Sequence, residues 1–457
     1  MRRTFVQDAA QPRKISVIGA GYLGATHAAC MAELGFEVVG VDVEVERVER
    51  LNAGVLPFHE PGLDEMLARH VREGRLRFTT DYQEVADADV HFIGVGTPQR
   101  ENDHGADMRY VDAAIDSLGA VVSKDTLIAG KSTVPVGTAA RLAKRLKKLV
   151  AKRGLDINAE LCWNPEFLRE GFAVEDTLTP DRFVFGVQSQ RAEDILRAVY
   201  AKPLDDGTPL VVTDFETSEL VKVAANAFLA TKISFINAFS EITETVGGDI
   251  KTLADAIGMD PRIGRKFLNA GIGFGGGCLP KDIRALQARV SELGLPHTMR
   301  FLDHIDEINL RRRERAIYLA ERAVGGDLHG AHITVLGAAF KPNSDDVRDS
   351  PALDVAARLY SAGADVSVYD PQGMENAAKR FPRLRYADSA EDAARGANVV
   401  LLLTEWDEFK NLDPVSFGEV VADRYMIDGR NVLDPQAWTS AGWTLDRMGH
   451  KSEGHSE

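Results

Sequence analysis

The sequence has few cysteines, no long apolar run and no excess of positive charge. Its three cysteines are widely spaced and odd in number, as expected in a reducing cytoplasm rather than in a disulfide-rich secreted protein. The longest apolar run, around residues 399–403, has the length of a strand and is too short to cross a bilayer. A formal charge of −15 argues against general binding of nucleic acid or of an anionic membrane, but it leaves room for a small anionic ligand held by local Lys and Arg.

Other signals are also missing. No spacing of Cys or His is typical of a metal site, so we predict no structural metal. Residues 1–13 have a basic start but no continuous apolar core, and we predict a solvated N-terminal extension rather than a secretory signal. Residues 448–457 are polar and predict a disordered tail. These features favour a cytoplasmic protein.

Residues 14–213 alternate short apolar runs with helical patterns. KISVIG leads into GAGYLG, a helical pattern follows, and FEVVGVD ends at Asp42. This order of strand, turn, helix and strand predicts a parallel, doubly wound sheet. Further strands are predicted at 89–96, 126–132, 159–165 and 183–187.

The middle of the chain, residues 214–326, has a helical texture. Residues 216–246 contain neither Gly nor Pro and repeat apolar residues at helical spacing, which predicts one long, largely buried helix. Shorter helices are predicted at 250–257 and 281–293.

A second α/β pattern occupies residues 327–447. Its strands are predicted at 331–337, 364–371, 397–404 and 424–429. This repeats the order of the first pattern weakly, again with an acid after the second strand. The predicted fold class is therefore α/β, with two Rossmann-like doubly wound domains joined by a long central helix and a helical middle domain.

The glycines of GAGYLG predict a dinucleotide site. Gly19 suits the tight turn, Gly21 lets the backbone approach a pyrophosphate, and Gly24 lets the helix pack on the sheet. Asp42 follows at the end of the next strand, 23 residues after Gly19, where a carboxylate accepts hydrogen bonds from a ribose and repels a 2′-phosphate. NAD is therefore favoured over NADP. Arg47 either flanks the adenosine or is a solvated helix arginine.

The run GIGFGGGCLPKD at residues 271–282 holds the cysteine best suited to chemistry. Its glycines leave room for a ligand beside Cys278, and Lys281 and Asp282 follow within about one helical turn. A neighbouring cation or helix dipole favours the reactive thiolate. The alternative is a buried cysteine on a glycine loop.

Several polar side chains follow predicted strands. Ser132 and Thr133 come after one strand, as Thr97 does after another. In the second α/β pattern, Lys341 and Arg348 follow the first strand, where two cations suit a phosphate-bearing ligand and surface solubility is the alternative.

Two pairs of polar residues have a spacing of four. Glu166 and Glu170 would share one face if their segment were helical, and Lys222 and Asn226 repeat that spacing on the long helix. A desolvated lysine costs several kcal/mol unless it meets a charge or a ligand. Capping or ion pairing is the alternative for each of the four; together with Cys278 and Asp282 they would supply a nucleophile, an acid–base pair and an oxyanion stabiliser.

These motifs together resemble the UDP-glucose/GDP-mannose dehydrogenase family. The resemblance covers about residues 14–443 and rests on GAGYLG, VGTP, KSTVPVGT, NPEFLREG, LVKVAANAFLATKISFIN, FGGGCLPKD and GAAFKPNSDDVRDSPA. It implies the four-electron oxidation of a nucleotide-sugar primary alcohol to a carboxylate with two NAD and one water, and the match is closest to the members that act on UDP-glucose. The domains it implies are NAD-binding at 14–213, central helical at 214–326 and UDP-sugar-binding at 327–447.

The resemblance also implies residue roles. Cys278 would be the nucleophile that forms a thiohemiacetal and then a thioester, Lys222 and Asn226 would stabilise oxyanions, Asp282 would assist proton transfer, and Thr133 and Glu166 would position a water. The residues implied for NAD are Gly19, Gly21, Gly24, Asp42, Arg47, Thr97, Thr133, Glu170, Lys281 and Arg348. Those implied for the UDP-sugar are Phe167, Leu168, Arg169, Glu170, Lys222, Asn226, Phe267, Leu268, Asn269, Ala270, Gly271, Gly275, Lys341 and Arg430. Arg262 resembles an arginine that reaches a neighbouring subunit's substrate, so a homodimer is expected.

Two departures and two alternatives accompany this interpretation. Gly277 and Gly94 stand where relatives often carry other residues, and neither removes a reactive group. The same machinery could oxidise GDP-mannose or UDP-N-acetylmannosamine instead. A non-catalytic nucleotide sensor on the same fold predicts the loss of a reactive group, yet all are present.

Overall fold

The structure is a computed structural model that describes residues 13–101 and 103–451. The chain divides into two compact units, Met1–Ala225 and Asn226–Glu457. The division falls inside one long helix, and each unit has its own sheet. No helix within the described ranges is long and apolar enough to cross a membrane.

The first unit is an eight-stranded sheet with helices between the strands. Its strands are β1 (Lys14–Ile18), β2 (Glu37–Val41), β3 (Leu76–Thr79), β4 (Val90–Ile93), β5 (Thr126–Gly130), β6 (Ala159–Trp163), β7 (Phe183–Gly186) and β8 (Leu210–Thr213). Its helices are α1 (Tyr22–Glu33), α2 (Val45–Asn52), α3 (Leu63–Arg72), α4 (Arg109–Val121), α5 (Thr138–Lys152), α6 (Ala173–Leu178), α7 (Gln190–Val199) and α8 (Ala201–Asp205), with a 3₁₀ turn at Tyr82–Val85. The strand order is β3-β2-β1-β4-β5-β6-β7-β8, parallel throughout except between β6 and β7.

The second unit holds a six-stranded parallel sheet and most of the helical middle section. Its helices are α9 (Phe215–Val246, begun in the first unit), α10 (Ile250–Gly258), α11 (Leu279–Glu292), α12 (Phe301–Ala323), α13 (Pro351–Ser361), α14 (Met374–Arg380), α15 (Ala390–Ala394), α16 (Asp407–Lys410), α17 (Pro414–Phe417) and α18 (Pro435–Ser440). Its strands are β9 (His332–Leu336), β10 (Asp365–Tyr369), β11 (Arg385–Tyr386), β12 (Val399–Leu402), β13 (Tyr425–Asp428) and β14 (Thr444–Arg447). They lie in the order β11-β10-β9-β12-β13-β14.

The predicted fold class is confirmed. The first six strands of the first sheet and the six strands of the second follow the same order, 3-2-1-4-5-6, which is that of the doubly wound dinucleotide-binding fold. The predicted long helix is also confirmed, because α9 spans Phe215–Val246. The weak internal repeat seen in the sequence therefore corresponds to two sheets of one topology.

The central strands read as continuous apolar runs because both of their faces are covered. In β1, Ile15 and Val17 face one apolar cluster and Ile18 faces the other. In β9, Val335 and Leu336 divide in the same way between the two clusters of the second unit. The loops that follow these strands therefore start from rigid positions.

Four strands and one long helix were not predicted from the sequence. The strands β3, β8, β11 and β14 have at most four residues each. In β8 and β11 every residue is at least partly exposed, and in β14 only one is buried, so these strands lack a marked apolar run. The helix α12 escaped because Asn309, Arg312 and Arg313 are buried in it, so its buried face is not marked by apolar residues alone.

The prediction of a disordered tail is wrong for its first residues. Met448 is fully buried, and its backbone oxygen accepts a hydrogen bond from the Asn431 amide at 2.8 Å. Gly449 donates its N–H to Glu244, and His450 lies 2.9 Å from Asp249. Residues 452–457, and all of the predicted N-terminal extension except Arg13, lie outside the described residues.

Candidate active site

The GAGYLG turn joins β1 to α1 in the first unit. Gly19 has a φ of +87°, which favours glycine. A Cβ atom on Gly24 would lie 1.7 Å from the Gly19 oxygen, so only glycine lets α1 pack this closely. Nothing lies within 4 Å of a Cβ position on Gly21, which precedes the first turn of α1. The open space at Gly21, beside the N-terminal amides of α1, fits a pyrophosphate.

Asp42 lies directly after β2 and is fixed by backbone donors. Its carboxylate accepts hydrogen bonds from Ala20 N at 2.7 Å and Glu44 N at 3.0 Å. The Arg47 guanidinium pairs with it at 3.0 Å and with Glu44 at 2.8 Å. Arg47 is thus an ion-pairing residue beside Asp42, and its side chain is 28% exposed.

The second sheet has an acid in the same topological position. Asp370, after β10, accepts hydrogen bonds from the backbone N–H groups of Ala338, Ala339, Gln372 and Gly373 and from the Trp406 indole. These five donors exceed the roughly four lone-pair sites of a carboxylate. Asp370 therefore serves its own loops.

Two loops at the carboxyl edge of the first sheet are tied to each other. The Thr97 hydroxyl donates to the Thr133 carbonyl at 2.8 Å, and the Ser132 hydroxyl donates to the Val95 carbonyl at 2.6 Å. The loops after β4 and β5 are therefore held side by side, which brings the predicted residues Thr97 and Thr133 together.

The segment NPEFLREG follows β6 as an irregular loop. Glu166 and Glu170 therefore do not share a helix face, and the helical condition attached to their spacing fails. The loop is instead fixed by its own bonds: Glu166 accepts the N–H of Leu168 at 2.8 Å, and Arg169 pairs with Asp176. Arg169 is exposed.

Lys222 meets a charge, as a buried lysine on α9 must. Its ammonium lies 3.1 Å from Glu166, and the two side chains are 6% and 13% exposed. The Phe167 ring lies 5.6 Å from the same ammonium and 4.0 Å from the Arg182 guanidinium. The pair therefore puts a shielded positive charge beside a carboxylate in the first unit.

Cys278 is exposed and lies directly before α11 in the second unit. Burial raises the pKa of the Cys30 thiol to about 12, and it raises the pKa of the Cys162 thiol as well. Both of these buried thiols are inert at neutral pH. Of the three cysteines, Cys278 alone is placed to react.

A buried carboxylate lies one turn along α11. Asp282 is 2% exposed and accepts a hydrogen bond from the Asn226 amide at 2.6 Å. The Lys281 ammonium pairs with its other oxygen at 2.6 Å. Its backbone N–H donates to the Cys278 carbonyl at 2.9 Å. The second unit thus brings together Cys278, Asp282, Asn226 and Lys281, four of the residues that sequence predicted.

The glycine loop before Cys278 is tightly packed. The Asn309 amide accepts the N–H of Phe274 at 2.7 Å and donates to its carbonyl at 3.0 Å. A Cβ on Gly275 would lie 2.2 Å from the Asp349 oxygen, and one on Gly277 would lie 2.3 Å from the Arg348 guanidinium. Gly277, noted as a departure, therefore makes room for Arg348.

Arg430 lies among the loops of the second sheet. Its guanidinium donates to the carbonyls of Leu403 at 2.8 Å, Gly273 at 3.1 Å and Phe340 at 3.4 Å, and it pairs with Glu405. Arg430 therefore holds the glycine loop in place. Its proposed contact with a substrate stays a prediction.

The other predicted binding residues differ in exposure. In the segment 267–271, Leu268, Ala270 and Gly271 are buried, whereas Phe267 and Asn269 are exposed. Phe267 has a φ of +66°, unusual for a bulky residue. The Arg262 side chain is 88% exposed and pairs with Asp260.

Several buried polar residues near these loops were not predicted from the sequence. Glu60 accepts hydrogen bonds from the Gly171 and Ala173 amides and from the Tyr22 hydroxyl. Glu219 accepts hydrogen bonds from the backbone amides of Gly137 and Ala139 at the start of α5. Lys131 and Asn164 bond to each other at 3.0 Å. No motif marks a lone polar residue inside the core, so pattern alone could not find them.

Models of one protein family match the chain in three consecutive segments. They are the NAD binding domain of the UDP-glucose/GDP-mannose dehydrogenase family at residues 13–204, its central domain at 216–311 and its UDP binding domain at 334–435. The predicted domain boundaries stay predictions, and the matched segments agree with their order.

Curated proteins and solved structures are similar over nearly the whole chain. A UDP-glucose 6-dehydrogenase of Rhizobium meliloti is 42% identical over 95% of this chain and 99% of its own length. A UDP-glucose dehydrogenase structure from the archaeon Pyrobaculum islandicum has a TM-score of 0.88 at 37% identity, covering 98% of this chain and 100% of that one. A UDP-D-ManNAc dehydrogenase structure from Pyrococcus horikoshii has a TM-score of 0.82 at 27% identity, covering 95% and 99%.

Proposed function

This chain belongs to the UDP-glucose/GDP-mannose dehydrogenase family and is an NAD-dependent oxidoreductase, and we propose that it oxidises UDP-glucose to UDP-glucuronate. The overall reaction consumes UDP-glucose, two NAD and one water. The observation that carries the proposal is the exposed thiol of Cys278 one helical turn from a buried carboxylate that Asn226 and Lys281 hold.

We propose that Cys278 keeps the half-oxidised sugar attached to the protein. The C6 alcohol first loses a hydride and its hydroxyl proton and becomes the aldehyde. The Cys278 thiolate adds to the aldehyde carbon and the new oxyanion takes up a proton, which gives a thiohemiacetal. Loss of a second hydride from that carbon, with the hydroxyl proton, gives a thioester; the two hydrides account for the two NAD consumed. Water then attacks the thioester carbonyl, the C–S bond breaks, and the uronate and the thiol are released. Because the sugar stays covalently bound between the two oxidations, free aldehyde need not escape.

The polar groups receive separate roles in this proposal. Asp282 exchanges the proton of the reacting oxygens or sulfur, and the positive charge of Lys222 with the amide of Asn226 stabilises the oxyanions. Thr133 and Glu166 hold the attacking water. The buried pair of Lys222 and Glu166 supports these roles because a charge shielded from solvent acts strongly over a short distance.

When bound, NAD is the acceptor of the hydride. The space at Gly21 and the carboxylate of Asp42 fit its pyrophosphate and adenosine ribose. The remaining residues proposed to hold it are Gly19, Gly24, Arg47, Thr97, Thr133, Glu170, Lys281 and Arg348. Those proposed for the UDP-sugar are Phe167, Leu168, Arg169, Glu170, Lys222, Asn226, Arg262, Phe267, Leu268, Asn269, Ala270, Gly271, Gly275, Lys341 and Arg430.

The stoichiometry of NADH tests the proposed reaction. We expect two NADH per UDP-glucose consumed, because the aldehyde is oxidised again before release. A panel of UDP-glucose, GDP-mannose and UDP-N-acetylmannosamine, each assayed by NADH absorbance, gives the substrate. One NADH per sugar would mean that the reaction stops at the aldehyde, and turnover of GDP-mannose alone would overturn the choice of substrate. The greater identity to UDP-glucose dehydrogenases supports the present choice.

We also propose a homodimer in which α9 lies in the interface. Phe228, Phe235, Ile242 and Val246 recur along α9 at spacings of seven and four residues, and they are 66%, 46%, 53% and 73% exposed. Exposed apolar side chains repeated along one face of a helix favour an interaction surface.

The double substitution Phe228→Glu with Phe235→Glu is expected to convert the dimer to a monomer, because two carboxylates would be buried without partners. Light scattering after size exclusion measures the mass. Phe172→Glu, at a residue 44% exposed in the first unit, is the matched control and should leave the mass unchanged. A doubly substituted chain that is still dimeric would rule out α9 as the interface.

A further inference from the structure

Lys131 is a buried cation whose hydrogen-bond acceptors are neutral. It lies directly after β5 and is 7% exposed. Its ammonium donates to the Asn164 amide oxygen at 3.0 Å and to the Tyr200 hydroxyl at 3.3 Å, and that hydroxyl donates to the same Asn164 oxygen at 2.8 Å. The rings of Phe92 and Tyr200 each lie 5.7 Å from the ammonium. Dipoles and ring faces therefore stabilise this charge.

The contacts of Lys131 join two loops. Lys131 immediately precedes Ser132 and Thr133, whereas Asn164 stands two residues before Glu166. A backbone hydrogen bond from Asn164 to Gly130, at 2.8 Å, connects the same two places. The Lys131 side chain therefore adds a second link, beside the backbone bond, between the loop that carries Glu166 and the loop that carries Thr133.

A lysine is an expensive residue for a purely structural contact here. Burial lowers the pKa of Lys131 to about 8, while the negative charge of Glu166 acts in the opposite direction. An apolar side chain of similar length would fill the same space without the desolvation cost. The charge itself is therefore the feature that needs an explanation.

Of the titratable groups that act on Lys131, Glu166 is the one with the opposite charge. His27 on α1 is fully buried; burial and the charge of Lys131 lower its pKa, so its ring is neutral. Burial raises the pKa of the Cys162 thiol on β6 and of the Tyr200 hydroxyl after α7, so both stay protonated. The positive charge of protonated Lys131 is therefore attracted to Glu166.

We propose that Lys131 is a positioning residue for the reaction: its ammonium, bonded to Asn164 and Tyr200, fixes the Glu166 loop against the Thr133 loop. The inference rests on the proposed function, because it assigns Lys131 to the groups that hold the attacking water. Activity then requires the protonated lysine and falls as the pH rises through about 8. Stability changes in the opposite sense. The pKa of Lys131 lies below its ordinary value of 10.5, so the unfolded chain binds more protons between these values and this contribution to stability rises with pH.

The test compares Lys131→Met with the wild-type protein, using the nucleotide sugar that the wild-type turns over fastest. We expect a kcat lower by about 10²-fold, KM values for sugar and NAD within about threefold, and loss of the fall in kcat near pH 8. The melting temperature of the variant should equal or exceed that of the wild-type at pH 7, with the difference shrinking toward pH 10. Lys144→Met removes the same charge at an exposed position on α5 and should change none of these values.

Tyr200→Phe gives a second, milder test that does not depend on folding of the lysine variant. It removes one acceptor of the ammonium, which lowers the pKa of Lys131 further and should move the alkaline fall in kcat to lower pH. A kcat within about threefold of wild-type for Lys131→Met, or an unmoved alkaline fall in Tyr200→Phe, would overturn the proposal. Turnover of another nucleotide sugar in place of UDP-glucose would contradict the proposed substrate and leave these ratios measurable.

Discussion

Replacing Cys278 by serine is expected to lower the rate of NADH formation from UDP-glucose by about 10³-fold or more. A serine hydroxyl is far less nucleophilic at neutral pH than a thiol that can ionise, and it cannot form the thioester. Binding of UDP-glucose and NAD should be unchanged, since the substitution exchanges one atom on an exposed side chain. Isothermal calorimetry measures binding, and NADH absorbance under saturating conditions measures turnover.

The control for this substitution is Cys30→Ser, which makes the same atomic change at a fully buried thiol on α1. Its effect should fall on the melting temperature, with kcat of the folded protein unchanged. A Cys278→Ser protein that yields two NADH per sugar at the wild-type rate would disprove the assignment of the nucleophile. Mass spectrometry of the wild-type protein, quenched during turnover, should detect a UDP-sugar adduct on Cys278.

The substitution Lys222→Met is expected to lower kcat by about 10²- to 10³-fold, the effect of removing one oxyanion donor. It also leaves Glu166 without its partner at 3.1 Å, so the melting temperature should fall as well. The double variant Lys222→Met with Glu166→Gln separates the two effects. It removes the uncompensated carboxylate and should restore stability while the activity stays low.

Lys202→Met is the matched control for the loss of charge, because Lys202 is exposed on α8 in the same unit. Both kcat and the melting temperature should be those of the wild-type. If the double variant regained activity together with stability, Lys222 would be a structural ion pair rather than an oxyanion stabiliser. Kinetic constants from initial rates of NADH formation distinguish the two cases.

The parts of the fold that were predicted from the sequence are those in which the local conformation requires, or excludes, one type of residue. Glycine is required at 19 by a positive φ, and at 24 because α1 there lies against the Gly19 oxygen, so GAGYLG could be interpreted directly. The helix α9 was predictable because it lacks both residues that interrupt helices. Cys278 stood out because a run of glycines precedes it and Lys281 and Asp282 follow.

The parts that escaped prediction depend on long-range contacts. The spacing of Glu166 and Glu170 suggested a helix, but the loop takes its shape from bonds such as that of Glu166 to the Leu168 amide. Lys131 meets Tyr200 only because the sheet brings β5 near the end of α7. A sequence pattern reports local periodicity, and neither contact has one.

The acids after the second strand of each sheet, Asp42 and Asp370, differ in whether their carboxylates can accept a further ligand. Asp42 accepts hydrogen bonds from two amides and pairs with Arg47, whose side chain is 28% exposed. Asp370 is 1% exposed and already accepts hydrogen bonds from four backbone amides and an indole. Introducing the GAGYLG glycines into the second sheet would therefore not create a second dinucleotide site, because no carboxylate there is left to accept a ribose. Redesign there would have to begin by removing Trp406 and reshaping the turn at 370–373.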